Sequence, residues 1–285
     1  MSKSQKTAVI ERVFDQLYDA DTGTLSRTIV TARDLEAAKL YCNEILGMNI
    51  RLNSNPFNFM KDIVRSTAGS RIWPERVRNL GWVGEQKTGD GKIFEFVRIV
   101  EGESDVFEDD LKPTAMTPTF EVQSLSLPLA SKALGRRDES WLLQVAVNLR
   151  VIETHFAVGK DRQIRALELN HLQMDIKLRK VQIDALFLAK QSMHDSEAEG
   201  SVLITVEAKQ GGQRILKEQI ARQVDAAFQS TPNDLIIPVA ISAIPGKGIY
   251  VVEFKAVRRH DLPAFKSPIF HRDAMFILRP TVQGI

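Results

Sequence analysis

Cysteine is almost missing: Cys42 stands alone in 285 residues. That excludes an internal disulfide framework and a cysteine-built zinc site, and it suits a reducing compartment. Long apolar runs are missing too. None approaches the roughly 20 residues of a membrane-spanning helix, and the amino-terminal MSKSQKTAVIERVF lacks the apolar core of a signal peptide. A soluble, cytoplasmic protein with no membrane partner is expected. Charge of one sign is lacking as well, since 38 Lys and Arg face 36 Asp and Glu. The balance hides a division: residues 1–100 carry 15 basic against 12 acidic side chains, and residues 101–120 carry one against six. A short acidic segment therefore masks two mildly basic regions, which permits a nucleic-acid partner. The five histidines show no zinc-ligand spacing and no GxxxxGK(S/T) loop occurs, so neither zinc nor ATP is expected.

What the chain does have is 44% hydrophobic residues, ample for two globular domains of ordinary size. The acidic stretch at 101–110 runs into Pro113 and Pro118, which makes residues 104–118 the expected linker. Before it, Val9, Ile10, Val13, Phe14 and Leu17 recur at helical spacing. Thr31 is a plausible N-cap for a second helix that stops at Gly47, and a third is expected from Asn55 or Pro56 through Phe59, Ile63 and Val64. Two extended stretches, Trp82–Gln86 and residues 92–99, flank a Gly-Asp-Gly turn at 89–91 and read as a β-hairpin.

Three helices followed by a hairpin resemble a winged helix-turn-helix domain. The resemblance implies that the third helix enters the major groove and the hairpin lies along the DNA backbone. Carried over by position, Asn58, Lys61, Asp62 and Arg65 would face the groove, and Lys87 and Lys92 would be hairpin contacts. Asn and Arg can read base edges, whereas Lys mostly meets phosphate.

After the linker, residues 139–158 read as one amphipathic helix. Extended segments follow at 164–178 and 180–190, then a polar loop, then SVLITVEAKQ at 201–210 and the pair Gly211-Gly212. A helix is expected from Gln213 to Phe228, then the apolar strand LIIPVAISAI and a hairpin into IYVVEFKAV. Apolar strands alternating with helices indicate a sheet buried on both faces. In VLITVEAK, Leu203, Thr205, Glu207 and Lys209 share one face and Val202, Ile204, Val206 and Ala208 the other. Glu207 and Lys209 therefore emerge side by side, about 6.6 Å apart along the strand. Asp184 sits amid apolar residues in VQIDALFL, where an unpaired carboxylate is costly. If the two strands pair, Asp184 and Glu207 converge, and two converging carboxylates favour a hard cation between them.

Asp184, a loop, and then Glu207-Ala208-Lys209 resemble the D…ExK signature of the PD-(D/E)xK, restriction endonuclease-like nucleases. An ExK triplet alone says little. Its position at the end of an apolar strand, after an Asp-bearing strand and before a basic amphipathic helix, carries the resemblance. No proline precedes the aspartate here; Gln182 and Ile183 stand there. The resemblance covers residues 139–257. It implies that Asp184 and Glu207 ligate Mg²⁺ together with the Ala208 carbonyl, with Mn²⁺ able to substitute. Lys209 would orient or deprotonate the attacking water and stabilise charge on the phosphate. Gln219 and Gln223, one turn apart, are similar to a Q-x-x-x-Q pair in some members, and Glu153 to an acid many members carry upstream. Gln210, beside the triplet, is carried with Gln219 as a DNA contact.

The expectation is an α/β fold: a winged-helix-like α+β domain at 1–103, a linker at 104–118, and a nuclease domain at 119–285. The latter would be a mixed central sheet flanked by helices. The expected function is Mg²⁺-dependent cleavage of double-stranded DNA by a type II restriction endonuclease, working as a homodimer because duplex cutting needs two active sites. The alternatives are a repair or junction-resolving nuclease, or a non-catalytic DNA-binding regulator on a nuclease fold.

Overall fold

Helix α1 (Gln5–Leu17) forms because its apolar positions fall on one face, and Val9, Ile10, Val13, Phe14 and Leu17 are all buried. Its start is fixed by Ser4, whose hydroxyl accepts the Thr7 N–H at 3.1 Å. The computed structural model describes residues 4–65, 72–87, 91–99, 111–192, 199–210 and 212–285. They divide into two compact units, 1–110 and 111–285.

In the first unit, α1 leads into a two-residue pairing of β1 (Tyr18–Asp19) with β2 (Thr24–Leu25). Strand β3 (Ile29–Thr31) then precedes α2 (Ala32–Glu44), where the Asp34 carboxylate accepts the Thr31 backbone N–H at 2.7 Å. Helices α3 (Asn58–Arg65) and α4 (Glu75–Asn79) follow, and β4 (Trp82–Gln86) pairs antiparallel with β5 (Lys92–Arg98). The expected turn residues Gly89 and Asp90 lie outside the described ones. Sequence reading missed β3, a three-residue strand too short to show a period. It pairs with β5, so the sheet order is β3–β5–β4. The core is aromatic: Trp73, Phe94, Phe96 and Phe14 meet edge to face at 5–6 Å between centroids.

The second unit is built on one mixed sheet of eight strands. Its order is β6 (Thr119–Gln123), β13 (Phe270–Arg279), β11 (Gly248–Phe254), β10 (Leu235–Ile244), β9 (Glu199–Lys209), β8 (Val181–Ser192) and β7 (Ala166–Leu178). The short β12 (Val257–Arg258) pairs with β10 off that path. Helix α5 (Leu129–Ala133) follows β6, and α8 (Lys217–Ser230) links the parallel strands β9 and β10. The chain is thus mixed α/β, with a large central sheet flanked by helices. Alternation along β9 is as the sequence requires. Val202, Ile204, Val206 and Ala208 join one core, while Leu203 packs on the other face against Val224 and Phe228 of α8. Among the described residues no helix is long and apolar enough to cross a membrane.

Two expectations are corrected. The single helix at 139–158 is two, α6 (Glu139–Asn148) and α7 (Val151–Val158), broken where Arg150 adopts a left-handed φ of 55°. The break lets Trp141, Leu142 and Val145 of one helix and Val151, Ile152 and Phe156 of the next reach the same core. The helix expected from Gln213 begins at Lys217, because Arg214 and Ile215 are first buried in a non-helical turn. Of the expected linker 104–118, residues 104–110 lie outside the described ones. From Leu111 onward the chain belongs to the second unit, where the Thr117 hydroxyl donates to Asp273 at 2.7 Å and Leu111 packs against that unit's core.

Candidate active site

β8 and β9 run antiparallel with Ala185 opposite Val206, and one step further on each strand stand Asp184 and Glu207. Both project on the sheet face covered by α8, where Leu186 and Leu203 pack. Asp184 is 9% exposed and Glu207 fully buried. The Asp184 Oδ2 accepts the Ala208 N–H at 2.8 Å, so the triplet's middle residue positions the aspartate through its backbone. One Glu207 oxygen pairs with the Lys209 ammonium and the other accepts from the Gln223 side chain. Gln223, on α8, also donates to the Gln182 carbonyl at 3.1 Å. A single carboxamide thereby ties β8, β9 and α8 together. Lys209 is 1% exposed, and its Nζ lies 3.7 Å from Glu139 in the first turn of α6.

Burial pushes the Asp184 carboxyl up, and the neighbouring Glu207 adds to it; the Ala208 N–H and Lys209 pull down and Glu139 pushes up, leaving it at about 7. Three carboxyl groups, those of Asp184, Glu207 and Glu139, thus stand around the one Lys209 amine. Two buried oxygens nearby, Gln223 Oε1 and Thr205 Oγ1, have no hydrogen-bond partner among the described residues. Clustered carboxyl groups beside orphaned oxygens suit a hard divalent cation and its waters. Among the described residues no three or more His, Cys, Asp or Glu side chains are grouped to hold a metal. A cation here would draw on Asp184, Glu207, a backbone oxygen such as that of Ala208, and water.

Asp184, Glu207, Lys209, Ala208 and Gln223 are therefore brought together. Glu153 is not among the groups acting on Asp184. It pairs with Arg150 at 3.4 Å, and its buried Oε2 has no partner among the described residues. The acid that does reach the site is Glu139, which sequence reasoning missed. Its signal was the pair Asp138-Glu139 opening an apolar helix: Asp138 caps that helix by accepting the Trp141 N–H at 2.8 Å, which sets Glu139 in the first turn. Gln219 makes no side-chain hydrogen bond among the described residues, and Gln210 donates to the Gly284 carbonyl at 2.9 Å.

In the first unit, Asn58 is the exposed first residue of α3, while the side chains of Lys61, Asp62 and Arg65 lie outside the described ones. Lys87 lies 3.1 Å from Glu85 and 3.3 Å from Glu95, so its charge is met within its own hairpin. Lys92 opens β5, half-buried. No protein-family model matches the chain, and no curated protein or solved structure is significantly similar to it.

Proposed function

We propose that the chain is a Mg²⁺-dependent endonuclease of the PD-(D/E)xK type that hydrolyses phosphodiester bonds in double-stranded DNA. One observation carries this reading. Asp184 and Glu207, from different strands, stand side by side with Lys209 bonded to Glu207, all nearly buried, and Asp184 is held at about 7 by that burial and by Glu207. A structural ion pair has no need of the second carboxylate, whose burial is unfavourable at neutral pH.

Asp184, Glu207 and the Ala208 carbonyl would hold the cation, which when bound supplies Lewis-acid polarisation of the phosphodiester. Everything else falls to the chain's own groups. Lys209 keeps its ammonium where charge builds on the non-bridging oxygens as water bonds to phosphorus and the opposite P–O bond breaks. The attacking water gives up one proton and the leaving oxygen takes one up, so the products are a phosphate monoester and a hydroxyl. Glu139 holds Lys209 from the α6 side, and Gln223 holds Glu207 against rotation. The first unit, with helices followed by a hairpin, would supply part of the DNA recognition, which favours the site-specific cleavage of a type II restriction endonuclease. A homodimer would bring two such sites to one duplex.

The test is incubation of the purified protein with plasmid and phage DNA. Discrete fragments are expected with Mg²⁺ or Mn²⁺, binding with little turnover in Ca²⁺, and no cleavage in EDTA. Undiminished cleavage in EDTA overturns the metal-dependent reading.

A further inference from the structure

The first unit holds a cleft of about 260 Å³ whose lining includes Lys6, Lys39, Arg51, Ser54 and Asn58. Three cations face it, and no carboxylate is among the described residues that line it. The unusual member is Lys39. It is 4% exposed, and its Nζ donates to the Ser54 hydroxyl at 2.9 Å. Among the described residues it forms no ion pair with a carboxylate. Burial pulls its ammonium below the ordinary lysine value; Glu36 on the same helix opposes this, and Lys6 adds to it. A helix that only needed packing here would be better served by Met or Leu, since a buried ammonium whose only opposing charge acts from outside ion-pair contact is destabilising. Lys6 donates to the Phe59 carbonyl at 3.3 Å, which fixes a second cation at the cleft. Arg51 is exposed at its rim.

We infer that this cleft binds a phosphate group. An ammonium has three donors and only one is spent on Ser54; the guanidinium of Arg51 and the amide of Asn58 add donors suited to a tetrahedral oxyanion. The volume is below that of pockets for whole cofactors, roughly 300–1,000 Å³. The cleft therefore takes the phosphate and its first attached atoms. The group is either a phosphodiester of a DNA strand or a phosphate monoester, at a strand end or free in solution.

The inference is independent of the nuclease reading, because every measurement that tests it reads stability or binding of the full chain, made in EDTA, and none reads cleavage. Lys39→Met keeps the side-chain volume and removes a buried charge, so it should fold; Arg51→Ala changes an exposed position. Thermal unfolding in sodium phosphate is compared with sodium chloride at equal ionic strength, and the variants correct for the general salting effect of phosphate. The parent's melting temperature should rise more with phosphate than that of either variant. Fluorescence anisotropy with one duplex, with and without a 5′-phosphate, separates the sources. A several-fold preference for the phosphorylated duplex, lost in Lys39→Met, assigns a strand-end monoester. Equal affinities that both drop about tenfold in the variant, with the log–log salt slope smaller by about one, assign the backbone diester. Loss of the phosphate effect alone assigns the free ion. Variants that match the parent in phosphate and with both duplexes overturn the inference.

Discussion

At Asp184 the chain keeps a carboxyl whose affinity for a proton is far higher folded than unfolded, at about 7 against an ordinary 3.8. For a group raised in this way, the favourable contribution is complete below pH ~4 and is lost as pH climbs through ~7. In EDTA the fold should therefore weaken across that window, by an amount on the order of 4 kcal/mol. Asp184→Asn keeps an oxygen for the Ala208 N–H and removes the charge. The variant should unfold at a higher temperature than the parent at pH 8 and at the same temperature at pH 4. Mg²⁺ should then raise the melting temperature of the parent alone. Parallel curves for the two proteins across pH would remove the basis for a strained carboxylate. The same local logic separates two acids. Glu139→Gln should raise the Mg²⁺ concentration needed for half-maximal cleavage and lower kcat/KM about tenfold, some 1.4 kcal/mol, whereas Glu153→Gln should leave both unchanged. Asp184, Glu207 and Lys209 were legible because strand alternation and a buried carboxylate are local signals. Glu139 was not, because which upstream acid reaches the triplet depends on where α6 lies on the sheet.

The break between α6 and α7 sits at Arg150, a residue with a Cβ in the left-handed region. That conformation costs roughly 1–2 kcal/mol for most residues and little for glycine. Arg150→Gly should unfold within a few degrees of the parent, losing only the 3.4 Å pair between the exposed Arg150 and the half-buried Glu153. Arg150→Val, β-branched and ill suited to positive φ, should melt clearly lower than both. If Val were tolerated as well as Gly, the two segments would have to form one continuous helix. Helical periodicity runs straight through 139–158, so the break could not be seen in the sequence; it arises from both apolar faces seeking one sheet. Strands β7 to β11 were legible as apolar or alternating runs. The strand β13 was not, because its buried residues Ala274, Met275 and Phe276 are consecutive and three half-buried polar residues, His271, Arg272 and Asp273, precede them, which masks any period.

On the scale of the whole molecule, the division into 1–110 and 111–285 suggests a division of labour. The segment 111–285 carries all of Asp184, Glu207, Lys209, Gln223 and Glu139, and it retains the Thr117–Asp273 bond that a cut at 119 would lose. Alone, with Mg²⁺, it should cut DNA weakly and with relaxed site preference. An unchanged rate and unchanged preference would reduce the first unit to packing. The composition hinted at two units through its acidic stretch. The boundary itself depends on Leu111 packing in the second unit's core, which composition does not reveal. Whether Asp184, Glu207 and Lys209 form a hydrolytic site is decided by Lys209→Ala. The parent and variant are compared for cleavage of the same DNA in Mg²⁺ and for binding to it in Ca²⁺. Cleavage by the variant should be lowered at least a hundredfold, about 2.7 kcal/mol in the barrier, with binding retained. A variant that binds and cuts at the parental rate would contradict a hydrolytic site there.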